Sequence, residues 1–109
     1  MQITDFPFQL LDWSSVPKEE HKGETGMAYW QVSMVNDIRV RRVEYNPGYK
    51  ADHWCSKGHI IFCIEGEMDT ELKDGRLLRL SKGMCYFVGD NNEAHRTSSL
   101  NGCKLFIVD

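Results

Sequence analysis

The chain has 109 residues, 41% of them hydrophobic and 27% charged, with a net charge of −3; this is the profile of one soluble globular domain with a single modest core. The acidic balance argues against a nucleic-acid partner, since the densest basic cluster is "RVRRV" at 39–43, inside a strand-like run. No apolar stretch approaches the roughly 20 residues of a membrane helix, and the N-terminal "MQITDFPFQLL" lacks the basic segment and long apolar core of a signal peptide, so a cytoplasmic chain with no membrane partner is expected.

Residues 1–26 stand apart as an N-terminal arm. Phe6, Phe8, Leu10, Leu11 and Trp13 make it too apolar for a loose tail, so it either caps the domain or pairs with a second subunit, predicting a homodimer. "KEEHKGETG" reads as an exposed loop with a solvated His21. From residue 27 onward the chain reads as strand after strand to residue 109. "AYWQVSMV" alternates, with Ala28, Trp30, Val32 and Met34 on one face. "IRVRRVEY" alternates Ile38 and Val40 with Arg39 and Arg41. An arginine facing inward would clamp a carboxylate, but a surface arginine is the expectation for Arg39, Arg41 and Arg42.

"YNPGY" is turn chemistry, with Pro47 fixing its own φ and Gly48 free to take a positive one. "GHIIFCIEG" is apolar on both faces, as a strand between two packed layers should be. In "EMDTELKDGRLLRL", Met68, Thr70 and Leu72 face one way, and Asp74-Gly75 signals a hairpin. "MCYFVG", with one of Tyr86 and Phe87 inward, and "CKLFIV" complete the series around the polar "DNNEAHRTSSLNG". Short strands with Gly-rich turns and no dozen-residue helical period give an all-β sandwich or barrel. The cysteines at 55, 63, 85 and 103 form no paired C-x-x-C knuckles; Cys63, Cys85 and Cys103 are expected to be buried free thiols.

The stretch "ADHWCSKGH" concentrates metal-ligand chemistry. His53 and Cys55 are two apart and point to the same side of a strand, and His59 shares that parity if the strand resumes after "SKG". Three readings are open: a metal site, a reactive thiol whose histidine neighbours acidify it, or a metal-free pocket of mutually hydrogen-bonded side chains. Asp52 has the opposite parity; it either braces a histidine N–H or is solvated. Lys57 is expected to be solvated, and Trp54 has no assigned packing.

The same residues resemble the motifs of the cupin superfamily, over roughly Ala28 to residue 109. That superfamily's first motif runs Gly, His-x-His, Glu, Gly. Here Gly48 precedes His53-Trp54-Cys55, then His59, then Gly66. Its second motif runs Gly, Pro-x-Gly, His; here Gly83 precedes "MCYFV" and "GDNNEAH", ending at His95. Cys55 replaces the second His, His59 replaces the Glu, and Gly89 takes the Pro position. "ADHWCSKGH" also resembles a cupin subgroup named for an Asp-His-Cys-Trp motif.

The resemblance implies a jelly-roll (double-stranded β-helix) barrel in which His95 folds back toward His53. It also implies a metal held by His53, Cys55, His59 and His95. Three imidazoles and a thiolate suit iron, zinc, nickel or copper. Three protein ligands would leave a position open for water or substrate, whereas four would close a zinc site. By analogy the protein acts on a small-molecule ligand in a dioxygenase- or isomerase-like manner. The alternative is a non-catalytic module that binds a metal or a metabolite.

Overall fold

A computed structural model describes residues 3–109, in which nine strands and one 3-10 turn are found; the first two residues of the arm lie outside the described residues. The strands are β1 (Glu19–Lys22), β2 (Met27–Val35), β3 (Ile38–Tyr45), β4 (Tyr49–Lys50), β5 (His59–Leu72), β6 (Leu77–Ser81), β7 (Cys85–Val88), β8 (His95–Ser99) and β9 (Cys103–Val108). They hydrogen-bond in the order β1-β2-β3-β9-β5-β8-β4, with β6 and β7 also against β5. Every pairing is antiparallel. The result is an all-β barrel curled about one core. Among the described residues no helix is long and apolar enough to cross a membrane.

Strand β5 joins the two layers. Its first half pairs with β7 and β9, and its second half with β6 and β8. The register shifts between Cys63 and Glu65, and Gly66 follows with φ +79°. A Cβ at Gly66 would collide with the Gly102 carbonyl oxygen, so only glycine fits this bend. Before the bend the odd residues His59, Ile61 and Cys63 are buried; after it the even residues Met68, Thr70 and Leu72 are. The core gathers these with Ala28, Val43, Tyr45, Leu80, Leu105 and Ile107. The Asp74-Gly75 hairpin joins β5 to β6, with Gly75 at φ +93°.

Several expectations are corrected. The segment read as an exposed loop contains β1, which pairs along β2, and His21 there stacks on Trp30 with ring centroids 3.8 Å apart. An edge strand with two charged ends still gains main-chain hydrogen bonds and an aromatic face, which composition alone hides. The first half of β5 is not covered on both sides: Ile60 and Phe62 face outward and are about 40% exposed, at 39% and 41%. Cys85 is exposed on the same outer face, while Cys63 and Cys103 are buried as expected. All four cysteines are free thiols.

The arm is tied on by the 3-10 turn Trp13–Ser15, whose flanking carbonyls at Trp13 and Val16 both accept from Gln31 Nε2. Trp13 meets the outward Phe106 edge-on at 6.5 Å. Ahead of this turn, Phe8 and Leu10 are 93% and 89% exposed.

Candidate metal centre

Register explains how the site assembles. Strand β9 lies between β3 and β5. Val40 and Ile60 both sit opposite Val108, so the next row places Asp109 between Arg39 and His59. The Arg39 and Asp109 backbones confirm the row with reciprocal hydrogen bonds of 2.6 and 2.9 Å. Directly opposed residues of antiparallel strands share a face, so all three side chains enter the barrel together. On the other side, Cys55 and His95 form a two-residue bridge, Cys55 N–H donating to the His95 carbonyl at 2.8 Å and the reverse at 2.9 Å. Gly58 fixes the start of β5: its N–H donates to Asp90 Oδ1 at 2.7 Å, and a Cβ there would strike the Asp90 and Val88 backbones.

These constraints bring Cys55, His59 and His95 together, with one ligand atom from each lying within 4.8 Å of the others. His59 Nε2 is 2.6 Å from His95 Nε2, and Cys55 Sγ is 4.0 Å from His59 Nε2. The partners on the far side of each ring assign the tautomers. His59 Nδ1 donates to Asp109 Oδ2 at 3.1 Å, and His95 Nδ1 donates to the Glu93 carbonyl at 2.9 Å. In its neutral form each ring therefore turns a bare Nε2 lone pair toward the other. Two lone pairs at that separation repel unless a proton or a cation lies between them. Both histidines are buried, at 8% and 3% exposure.

The electrostatics favour charged donors. Hydrogen bonds from His59 and then His95 lower the Cys55 thiol to about 5, so it is a thiolate at neutral pH. Burial pushes His59 down, but its bonds to Asp109 and Cys55 more than offset this and leave it raised. Burial likewise works against the Asp109 carboxylate, yet the His59 and Arg39 hydrogen bonds and the Arg41 charge hold it well below the usual range. Its side chain has no solvent exposure. It accepts two bonds from Arg39, at 2.9 and 3.0 Å, and one from Arg41 Nη2 at 2.9 Å. A buried imidazole braced through Nδ1 by such a carboxylate is the arrangement that orients metal-bound histidines.

His53 stands apart from the other three. Its side chain is 72% exposed and bonds Asp52 Oδ1 through Nδ1 at 2.7 Å, although it lines the same barrel cavity. Asp52 thus braces a histidine, but an exposed one. Trp54 is held outside between Lys73 and Arg96, whose cationic centres lie 4.3 and 4.6 Å from its ring. Lys57 is exposed, Tyr86 lines the cavity and Phe87 points out.

The expectation of surface arginines is overturned for Arg39 and Arg41. They share the inward face with Val43 and Tyr45, and Arg41 is only 5% exposed. Asp109 was missed altogether. Its signal was parity: it is in step with the apolar Cys103, Leu105 and Ile107, which places a carboxylate inside that needs a cation beside it.

No protein-family model matches the chain, and no curated protein matches it. Among solved structures, the chain is similar to a protein described as a predicted oxalate decarboxylase from Thermotoga maritima, with TM-score 0.77 at 16% identity, covering 92% of this chain and 96% of that one. It is similar to an RmlC-like cupin from Shewanella frigidimarina, with TM-score 0.70 at 16% identity over 96% of this chain and 92% of that one. It is also similar to Fe(II)-HppE, with TM-score 0.76 at 13% identity, covering 94% of this chain and 60% of that one.

Proposed function

The chain has the cupin barrel fold, and on that premise we propose that it is a small metal-binding protein that acts on a small-molecule substrate through a histidine-rich centre. The observation that carries this reading is the pair of buried, carboxylate- and carbonyl-braced imidazoles whose Nε2 atoms face each other 2.6 Å apart beside the Cys55 sulfur. Cys55, His59 and His95 would hold the ion, and His53 at the cavity rim is the candidate fourth ligand. Nitrogen and sulfur donors suit iron, zinc, nickel or copper and disfavour magnesium or calcium. Bound there, such an ion supplies Lewis-acid or redox chemistry of the dioxygenase or isomerase kind. The chain's own groups set the ligand tautomers, shield the site from water and wall the cavity with Tyr45, Tyr49 and Tyr86. A neighbour that carries Fe(II) on the same fold lends the reading support.

The second reading is a non-catalytic module. The Asp52–His53 pair favours it if His53 swings in as a fourth ligand and closes the centre. A homodimer accompanies either reading. Across the outer sheet, Ile60 is opposed by Val108 on one side and Phe87 on the other, and Phe62 by Phe106, giving an apolar face for a second copy and its arm.

Elemental analysis of untagged protein purified without chelator tests the proposal. Near-stoichiometric transition metal that disappears in a His59→Ala, His95→Ala double variant is expected. Metal at trace level only, even after reconstitution under reducing conditions, would refute it. Retention of the metal by Cys55→Ala together with its loss in His53→Ala would move His53 into the ligand set.

A further inference from the structure

The barrel cavity beside the ligand cluster encloses about 130 Å³, room for a few water molecules at about 30 Å³ each. Its wall follows from register. One row below Arg39, Asp109 and His59 lie Arg41, Ile107, Ile61 and Tyr86, each opposite the next and all on the inward face. Arg41 and Tyr86 thus flank an apolar floor of two isoleucines.

Both flanking groups are short of partners. Arg41 gives Nη2 to Asp109 and lays its guanidinium 4.3 Å from the Trp30 ring centroid, yet its buried Nε has no hydrogen-bond partner among the described residues. The buried Tyr86 hydroxyl has none either, and the equally unpaired Thr70 hydroxyl beside it leaves it free to take a further partner. The charges are also unequal. Two guanidiniums, Arg39 and Arg41, share the single carboxylate of Asp109. Buried donors without acceptors are costly, and a small anion placed on Arg41 supplies the missing acceptor.

We propose that this cavity binds a small carboxylic acid carrying a second oxygen, a 2-oxo or 2-hydroxy acid in class, with its carboxylate on Arg41 and its second oxygen toward the Tyr86 hydroxyl. The inference deepens the metal-centre reading by naming the substrate class of the same site, and it rests on that reading for the catalytic role of the ligand. Tyr86 is pushed up to about 12, chiefly by burial, so it is a hydrogen-bond donor at neutral pH. Its ring lies 6.3 Å from that of His95, which sets the ligand directly against the cluster.

Calorimetric titration with pyruvate, and with pyruvamide as the neutral analogue, on metal-free and zinc-loaded protein tests the proposal. Pyruvate is expected to bind both forms, more tightly with zinc, and pyruvamide at least about tenfold more weakly, as loss of a charge-assisted bond requires. Tyr86→Phe should weaken pyruvate binding about fivefold, the worth of one neutral hydrogen bond, with Arg41→Lys partly preserving binding and Arg41→Met abolishing it. Should Arg41→Met fail to fold, the Tyr86→Phe variant and the amide comparison decide the matter. Equal binding of pyruvate and pyruvamide, or pyruvate binding indifferent to Tyr86→Phe, overturns the proposal. Zinc uptake with no pyruvate binding to either form sinks the carboxylate site and leaves the metal centre standing. Variant-sensitive pyruvate binding without zinc uptake does the reverse.

Discussion

Replacing Asp109 by asparagine tests the site at its tightest point. The carboxylate accepts four hydrogen bonds, two from Arg39, one from Arg41 and one from His59, and its side chain is wholly buried. Asn keeps the shape, removes the charge and sets its N–H₂ against at least one of these donors. Charge-assisted bonds are worth roughly twice neutral ones, at about 1.5–3 kcal/mol. Halving four of them costs about 3–6 kcal/mol, which agrees with the about 3–5 kcal/mol lost when one partner of a buried ion pair is removed. The metal-free protein should therefore unfold at lower urea. With a slope of about 1.5 kcal/mol per molar, the midpoint falls by about 2–4 M. Because Asp109 also fixes the His59 tautomer, metal affinity measured by chelator competition should drop about 10–100-fold. A midpoint shift under about 0.3 M would refute the clamp, and unchanged metal affinity in a destabilised but folded protein would refute the bracing of His59.

Met68 is among the largest fully buried side chains, at 1% exposure, and Met68→Ala should cost about 2–5 kcal/mol by thermal or urea unfolding. In metal-free protein the ultraviolet absorbance of the Cys55 thiolate should appear near pH 5 and vanish in Cys55→Ser. That thiol is depressed below its unfolded value, so its contribution to stability is present above pH 9 and is lost as pH falls through about 5. His59 is raised, so its contribution is full below pH 6.5 and fades as pH rises through its folded value. Unfolding midpoints across that range should show a steeper gain between pH 5 and 6.5 in wild type than in Cys55→Ser; parallel curves would count against the thiolate–imidazole pair. Phe87→Glu, at a position 74% exposed, should leave the fold intact by circular dichroism and shift sedimentation from dimer to monomer.

Much of the barrel was legible because strands with one buried face write their period into the chain, as Met68, Thr70 and Leu72 do. The cluster was legible in part for the same reason: Cys55 and His59 share a parity, and motif spacing supplied His95. The arginines were misread because both faces of β3 mix apolar and charged residues, and only the far end, Val43 and Tyr45, fixes the phase. His53 has the parity of Cys55 but no partner strand, so nothing in the backbone forces it inward. Asp109 could be found only by pairing an inward acid on one strand with inward bases on another, which is information about register. The outer face of β5 misled because an apolar face reads the same in sequence whether or not a second layer covers it.

The bend at Cys63–Gly66 couples two halves of β5 that run out of phase, odd residues inward on the site side and even residues inward on the core side. Removing one residue between them would bring the halves into step. An unbroken strand of that kind would keep both rows inward, but without the bend that carries β5 from its β7 and β9 partners to its β6 and β8 partners. With the bend kept, a single insertion or deletion within either half turns the His59 row or the Met68 row outward, while changes of two residues preserve both. The distance from the histidine to the core is thus held to a fixed odd–even count, and descendants of this chain can change the residues of β5 far more freely than its length.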